Sequence, residues 1–254
     1  MARASAGILI PQNRGIDDFR SARSPSEAPG PAYERDIPES LKRLAGGFAP
    51  QLVFDVGAFR GDFASSALAI WPTAKIACFE PLPHGRAQIE TLRRRLPNIA
   101  IHATLLGAGE VESVPMHVAD TSSSLLRDLH NDSYPVQCFP QTTVDAAVRG
   151  LYGGRAPGLL KLDVQGYELE VLKGSEQALA WGVRAILTEI NLLDLHEGVP
   201  LLDHLVGWLA ARGFVAYDIC GLTRRPFDQA LWQADFIFLR RDDPLRADKR
   251  YFKP

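Results

Sequence analysis

Residues 51–63 read QLVFDVGAFRGDF, and how this stretch is taken decides the reading of the whole chain. Leu52, Val53, Phe54 and Val56 make an apolar run too short for a helix, interrupted by Asp55 and closed by Gly57. A second glycine, Gly61, precedes DFASSALAIW, where small and apolar residues recur at helical spacing until Pro72 stops them. A strand that ends on an acid and a glycine and then enters a helix is the repeating unit of a parallel α/β sheet.

The unit recurs outward from there. AKIACFEP (74–81) is a second apolar run ending in an acid, HGRAQIETLRRRL (84–96) is helical, and NIAIHATLLG (98–107) is a third strand. PGLLKLDV (157–164) and RAILTEIN (184–191) are two more, separated by YELEVLKGSEQALAW, helical with a break at Gly174. LLDHLVGWLAARG (201–213) is an amphipathic helix closed by a glycine. Residues 214–220 and 232–239 are joined by a turn region containing Pro226, without a helix, so the final strand is expected to be antiparallel. EVESVPMHVAD (110–120) alternates as an antiparallel hairpin would. Residues 119–137 read as a long polar loop or cap, and TVDAAVRGLYG (143–153) as a short helix. IPESLKRLAGGF reads as a short helix before the first strand. Residues 1–36, rich in Pro, Ser, Ala and Arg, read as a flexible tail or a cap, and 37–254 as one domain with its core at 51–240.

Composition narrows the function. The 254 residues are 46% hydrophobic and 23% charged, with a formal net charge of −2, so neither nucleic acid nor an anionic membrane is the expected partner. Arg93, Arg94 and Arg95 read as a solvated helix face. No stretch approaches the ~18–20 apolar residues of a membrane span, and the chain is read as cytoplasmic. Cys78, Cys138 and Cys220 form no CxxC pair and are not expected to hold a metal.

In open α/β sheets ligands bind beyond the carboxyl ends of the strands. Those ends supply Asp55 and Gly57, then Glu80 and Pro81, Lys161 and Asp163, and Glu189 and Asn191. The DVGAFRGDF loop is neither a phosphate-binding P-loop nor GxGxxG, which disfavours a nicotinamide. Glu80, at the end of the next strand, is placed to accept hydrogen bonds from both hydroxyls of a ribose. Together these point to a nucleoside ligand without a pyrophosphate. Asp163, Glu189 and His196 (in NLLDLHEG) are the candidates for a general base. Lys161 shares a strand face with Asp163 and could pair with it or with Glu189. Ser122, Ser123 and Ser124 could contact a ligand or form a plain turn. Asp163, Glu189 and Asn191 also match the oxygen ligands of a divalent cation in type, although no metal site is assigned. Glu168 and Glu170 fall in a first helical turn, where carboxylates suit the dipole.

VFDVGAFRGDF, CFEP and LLKLDVQGYELEVLKG, in this order, resemble the S-adenosylmethionine-dependent methyltransferases of the FkbM family. The resemblance implies a Rossmann-like class I fold whose seven-stranded, mostly parallel sheet has the order 3-2-1-4-5-7-6 with strand 7 antiparallel. It implies S-adenosyl-L-methionine as cofactor and methyl transfer to a hydroxyl of a sugar, glycan or natural product. Asp55, Gly57, Ala58, Arg60, Gly61, Glu80 and Pro81 then form the cofactor side, with Glu80 on the ribose. Many members of that family carry glutamate where this chain has Gln165, and both residues fit the resemblance. A metal-dependent O-methyltransferase acting on small molecules and a non-catalytic S-adenosylmethionine-binding protein are the rival readings. The acceptor's identity and the oligomeric state, a homo-oligomer included, are left open.

Overall fold

A computed structural model describes residues 32–119, 122–129, 131 and 133–252; most of the expected N-terminal tail lies outside the described residues. The described chain opens with strand β1 (Ala32–Arg35) and helix α1 (Ile37–Ala45), then runs into β2 (Leu52–Val56), α2 (Asp62–Ile70), β3 (Lys75–Phe79), α3 (Pro83–Arg93) and β4 (Ile99–His102). The short strands β5 (Leu105–Leu106), β6 (Val111–His117) and β7 (Val136–Thr142) follow. Then come α4 (Val144–Tyr152), β8 (Leu159–Leu162), α5 (Glu168–Lys173), α6 (Glu176–Trp181), β9 (Ala185–Asn191), α7 (Leu202–Ala211), β10 (Phe214–Arg224) and β11 (Leu231–Arg240).

The main sheet has the order β1-β10-β11-β9-β8-β2-β3-β4. Counted from β2 as the first strand, seven of these reproduce the expected 3-2-1-4-5-7-6, and β11 runs antiparallel to both β9 and β10. The eighth strand is a correction to the expected seven. Residues 32–35 pair antiparallel with β10, Ala32 opposite Arg224 and Arg35 opposite Gly221, so the sheet reaches four residues into the segment read as tail. An edge strand of four residues carries too little periodicity to be read from sequence.

Strand β2 is buried throughout, and its residues divide by the period of two. Leu52, Phe54 and Val56 join Leu160, Leu162 and the helices α4 to α7 on one face. Val53 joins Ile76, Cys78, Leu159 and the helices α1 to α3 on the other. Local signals end the helices where the sequence suggests. Thr143 caps α4 by accepting from the Ala146 N–H at 2.9 Å, and Gly153 closes it in the left-handed region. The break at Gly174 has a tertiary cause: a Cβ there would lie 2.0 Å from the Gly107 carbonyl oxygen.

One expectation fails. Residues 110–120 do not fold on themselves as a hairpin; β6 pairs across the long loop with β7, and β5 joins β7 to complete a separate three-stranded sheet. Strand β7 was hidden because it is mostly exposed, so no apolar alternation marks it, and Pro140 argues against a strand. The small sheet sits over the carboxyl end of the main one, where Met116 packs with Leu82 and Leu105. Among the described residues no helix is long and apolar enough to cross a membrane.

Phe54 is fully buried and its ring lies 5.0 Å from Phe79 and 5.1 Å from Tyr152. Phe54→Ala is therefore expected to cost about 3–5 kcal/mol. It should appear as a lower urea midpoint at unchanged slope, and a loss below about 1 kcal/mol would mean that this cluster contributes little to the core.

Candidate active site

The two central strands β2 and β8 are in parallel register with Asp55 opposite Lys161. Both side chains point to the α1–α3 face and both are buried. The Lys161 ammonium sits 3.0 Å from Asp55 Oδ1, in a close ion pair, and 3.8 Å from Asp163 Oδ2. It donates to the Gly57 carbonyl oxygen at 2.8 Å. Burial alone would lower the pKa of this ammonium; the charges of Asp55 and Asp163 outweigh burial and hold it above the usual lysine range. Lys161 thus pairs chiefly with Asp55, a partner not foreseen from sequence.

Above this pair the backbone of the first loop turns tightly. Gly57 has φ +72°, and a Cβ there would fall 1.9 Å from the Asp163 carbonyl oxygen, so only glycine lets the loop cross the end of β8. Phe59 follows at φ 44° and Gly61 at +84°, the latter as the N-cap of α2. On the neighbouring strand end, Glu80 is anchored by backbone alone. Its two oxygens accept from the Phe59 N–H at 2.8 Å and the Leu82 N–H at 2.7 Å. Burial pushes its carboxyl above the usual carboxylate range, against the pull of those two amides.

Asp163 and Glu189 meet on the other side. The Gln165 side-chain amide donates to Asp163 Oδ1 and to Glu189 Oε2, at 3.0 Å in each case. Gln233, from the antiparallel strand β11, donates to the same Glu189 oxygen at 2.8 Å and to Asn191 Oδ1 at 3.3 Å. The turn that carries Gln165 is pinned twice. Ser124 Oγ donates to the Gln165 carbonyl at 2.7 Å, and buried Glu168 accepts from the Val164 and Gly166 amides. Glu168 stands in the first turn of α5, as the sequence suggested, and is there a buried clamp on the preceding turn.

A cavity of about 630 Å³ connects the two halves, within the roughly 300–1,000 Å³ typical of ligand sites. Of the residues expected at the site, Gly57, Ala58, Arg60, Glu80, Pro81, Asp163 and Glu189 line it. Asp55, Gly61, Asn191 and His196 do not: Asp55 lies beneath the floor and Gly61 inside the turn. His196 is buried where its backbone bridges to Asp128 in the long loop. Ser122 and Ser123 line the cavity as well. Sequence reasoning missed Phe63, Tyr167, Trp232 and Gln233, which also line it. A glutamine near the start of a largely apolar strand was the available signal for Gln233.

One oxygen each of Asp163, Glu189 and Asn191, the groups that sequence offered to a cation, accepts from a side-chain amide. Gln165 and Gln233 place N–H groups between Asp163, Glu189 and Asn191, which is where a bridging ion would sit. No group of three or more His, Cys, Asp or Glu residues arranged to hold a metal occurs among the described residues. The donor set does not fit a metal centre.

The family described as the methyltransferase FkbM domain matches residues 55–216. Among solved structures, a methyltransferase FkbM from Methylobacillus flagellatus KT is 15% identical, with TM-score 0.47, over 74% of this chain and 43% of that one. This chain therefore spans less than half the length of that protein. A precorrin-6y C5,15-methyltransferase from Geobacter metallireducens GS-15 is 14% identical over 80% of this chain and 86% of its own, with TM-score 0.45. An Aeropyrum pernix fibrillarin in complex with S-adenosyl-L-methionine is 15% identical over 78% and 72%, with TM-score 0.44. Among curated proteins none matches.

The clamp at Glu168 makes stability pH-dependent. Burial pushes its carboxyl up to about 7, against the amides that favour its charged form. A carboxyl raised in the folded state contributes stability that is fully present below its unfolded pKa and is lost as pH rises through the folded one. Stability is thus expected to fall by on the order of 3 kcal/mol between about pH 4.5 and 7 from this group. Glu168→Gln should flatten that segment of a urea-midpoint profile; an unchanged slope would remove Glu168 as its source.

Proposed function

The chain belongs to the FkbM methyltransferase family, and from that premise we propose that it transfers a methyl group from S-adenosyl-L-methionine to a hydroxyl of a sugar, glycan or related natural product. The observation that carries this reading is the division of one cavity between two kinds of acid. Glu80, fixed by backbone amides, follows β3 on one side of β2, and Asp163 and Glu189, joined through Gln165, lie at β8 and β9 on the other.

The first half fits the cofactor's nucleoside. Glu80 is held with both oxygens oriented by main chain, so it binds the ribose hydroxyls without rearranging. The Gly57–Gly61 turn brings main chain to the cavity wall, and Pro81, Leu82 and Leu105 supply an apolar surface for a base. When bound, the cofactor supplies an activated methyl on a sulfonium, so the protein's task is alignment of the acceptor oxygen and removal of its proton.

Asp163 is the group that this reading assigns to the proton. Its side chain is 29% exposed, against 2% for Glu189 as a whole residue, so an acceptor reaches Asp163 first. Its Oδ2 lies 3.8 Å from the Lys161 ammonium, and a carboxylate that lines the cavity can come within hydrogen-bond reach of the hydroxyl it deprotonates. Glu189 stands behind it, linked through Gln165. His196, outside the cavity lining, has no part in the reading. A cleft ending in two carboxylates suits a neutral acceptor such as a polyol and disfavours an anionic one.

Calorimetry with S-adenosylhomocysteine should show binding, and Glu80→Ala should weaken it at least about tenfold through the lost ribose hydrogen bonds. No binding by the native chain would overturn the cofactor assignment, and equal affinity in the variant would overturn the role of Glu80.

A further inference from the structure

We propose that the side-chain amide of Gln165 takes the place of a bridging cation, holding Asp163 and Glu189 as a metal-independent carboxylate pair at the end of the cavity. Gln165 is then a positioning residue. The proposal rests on the reading above only in calling this the acceptor end.

The geometry is that of a bridge. One nitrogen, Gln165 Nε2, lies 3.0 Å from an oxygen of each carboxylate and uses both of its protons. With no cation between them, the reverse orientation of the amide would set its oxygen against two carboxylate oxygens at the same distance, which like partial charges oppose; the orientation and the absence of a cation therefore go together. Gln233 adds a second amide on Glu189 Oε2, so that oxygen accepts from two donors on two different elements. These are the positions in which a hard cation would otherwise gather Asp163, Glu189 and Asn191.

The backbone is arranged to keep the amide there. Gln165 has φ 53°, and Gly166 follows at +99°. A non-glycine residue in the left-handed region persists only where its surroundings over-determine it, and such strain collects at functional sites. Here Ser124 Oγ holds the Gln165 carbonyl, and Glu168 holds the amides on either side, those of Val164 and Gly166. A purely space-filling side chain would need none of this. Asparagine is one carbon too short to span both acids from the same backbone, and glutamate would set a third carboxylate between the first two.

The test uses Mn²⁺ alone, titrated by calorimetry into the chelator-treated full chain, with S-adenosylhomocysteine affinity measured on the same samples. The native chain should show no saturable Mn²⁺ site. Gln165→Glu, which exchanges the bridging N–H groups for a third carboxylate, should gain one, with affinity at least about tenfold above the native chain. Gln165→Ala, which removes the bridge without adding charge, should fall between the two. Saturable binding to the native chain equal to that of Gln165→Glu, or no gain in either variant, would overturn the proposal. Loss of S-adenosylhomocysteine binding in every sample would instead overturn the cofactor reading and leave the Mn²⁺ result to be judged separately.

Discussion

The Lys161 ammonium is the interaction on which the site depends. It is buried between β2 and β8, where the parallel register sets it opposite Asp55, and it reaches the Gly57 carbonyl at the turn above. One side chain therefore ties two central strands and the first loop together. Burying such a pair is no large source of stability by itself, since desolvation offsets most of the attraction. Removing one partner is another matter, because the remaining charge would be stranded in the core. The pair thus acts as a constraint: any packing that separates β2 from β8 at this level leaves a buried charge unpaired.

From that base the two ends of the cavity are built by different means. Glu80 is oriented by main-chain amides, those of Phe59 and Leu82, which are themselves set by the glycine turn and the start of α3. Glu189 is oriented by side-chain amides, those of Gln165 and Gln233, delivered by a strained turn and an antiparallel strand. A site made from main chain tolerates much change in sequence provided its glycines remain. A site made from side chains changes with single substitutions. The difference suits a fold in which one ligand stays the same while the partner molecule varies.

Much of the sheet was legible because burial on both faces leaves a plain mark in sequence. LVFDV, KIACF, LLKL and AILTEIN are apolar runs, and the acids at or near their ends are anomalous enough to be noticed. The small sheet was not legible, because β6 and β7 are largely exposed and Pro115 and Pro140 interrupt them. For His196 the burial was not legible. Its position just after β9 resembles the lip of a pocket, and only the fold shows that the loop turns back to pair with Asp128 and buries it. Glu168 was read from its helical position alone, which cannot reveal that its carboxylate turns back to hold the preceding loop.

By itself the sequence determined the alternation of strands and helices, the order of the main strands through its resemblance to a known family, and the identity of Glu80, Asp163 and Glu189 as strand-end acids. Periodicity and chain order are local properties, so they survive in one dimension. Only the tertiary structure decided which charges meet. Lys161 chose Asp55 over Asp163 and Glu189 because register, a relation between strands far apart in the chain, brought that carboxylate 3.0 Å away. Gln165 and Gln233 became partners of one oxygen for the same reason: their meeting depends on how β8, β9 and β11 lie side by side, which no single stretch of residues records.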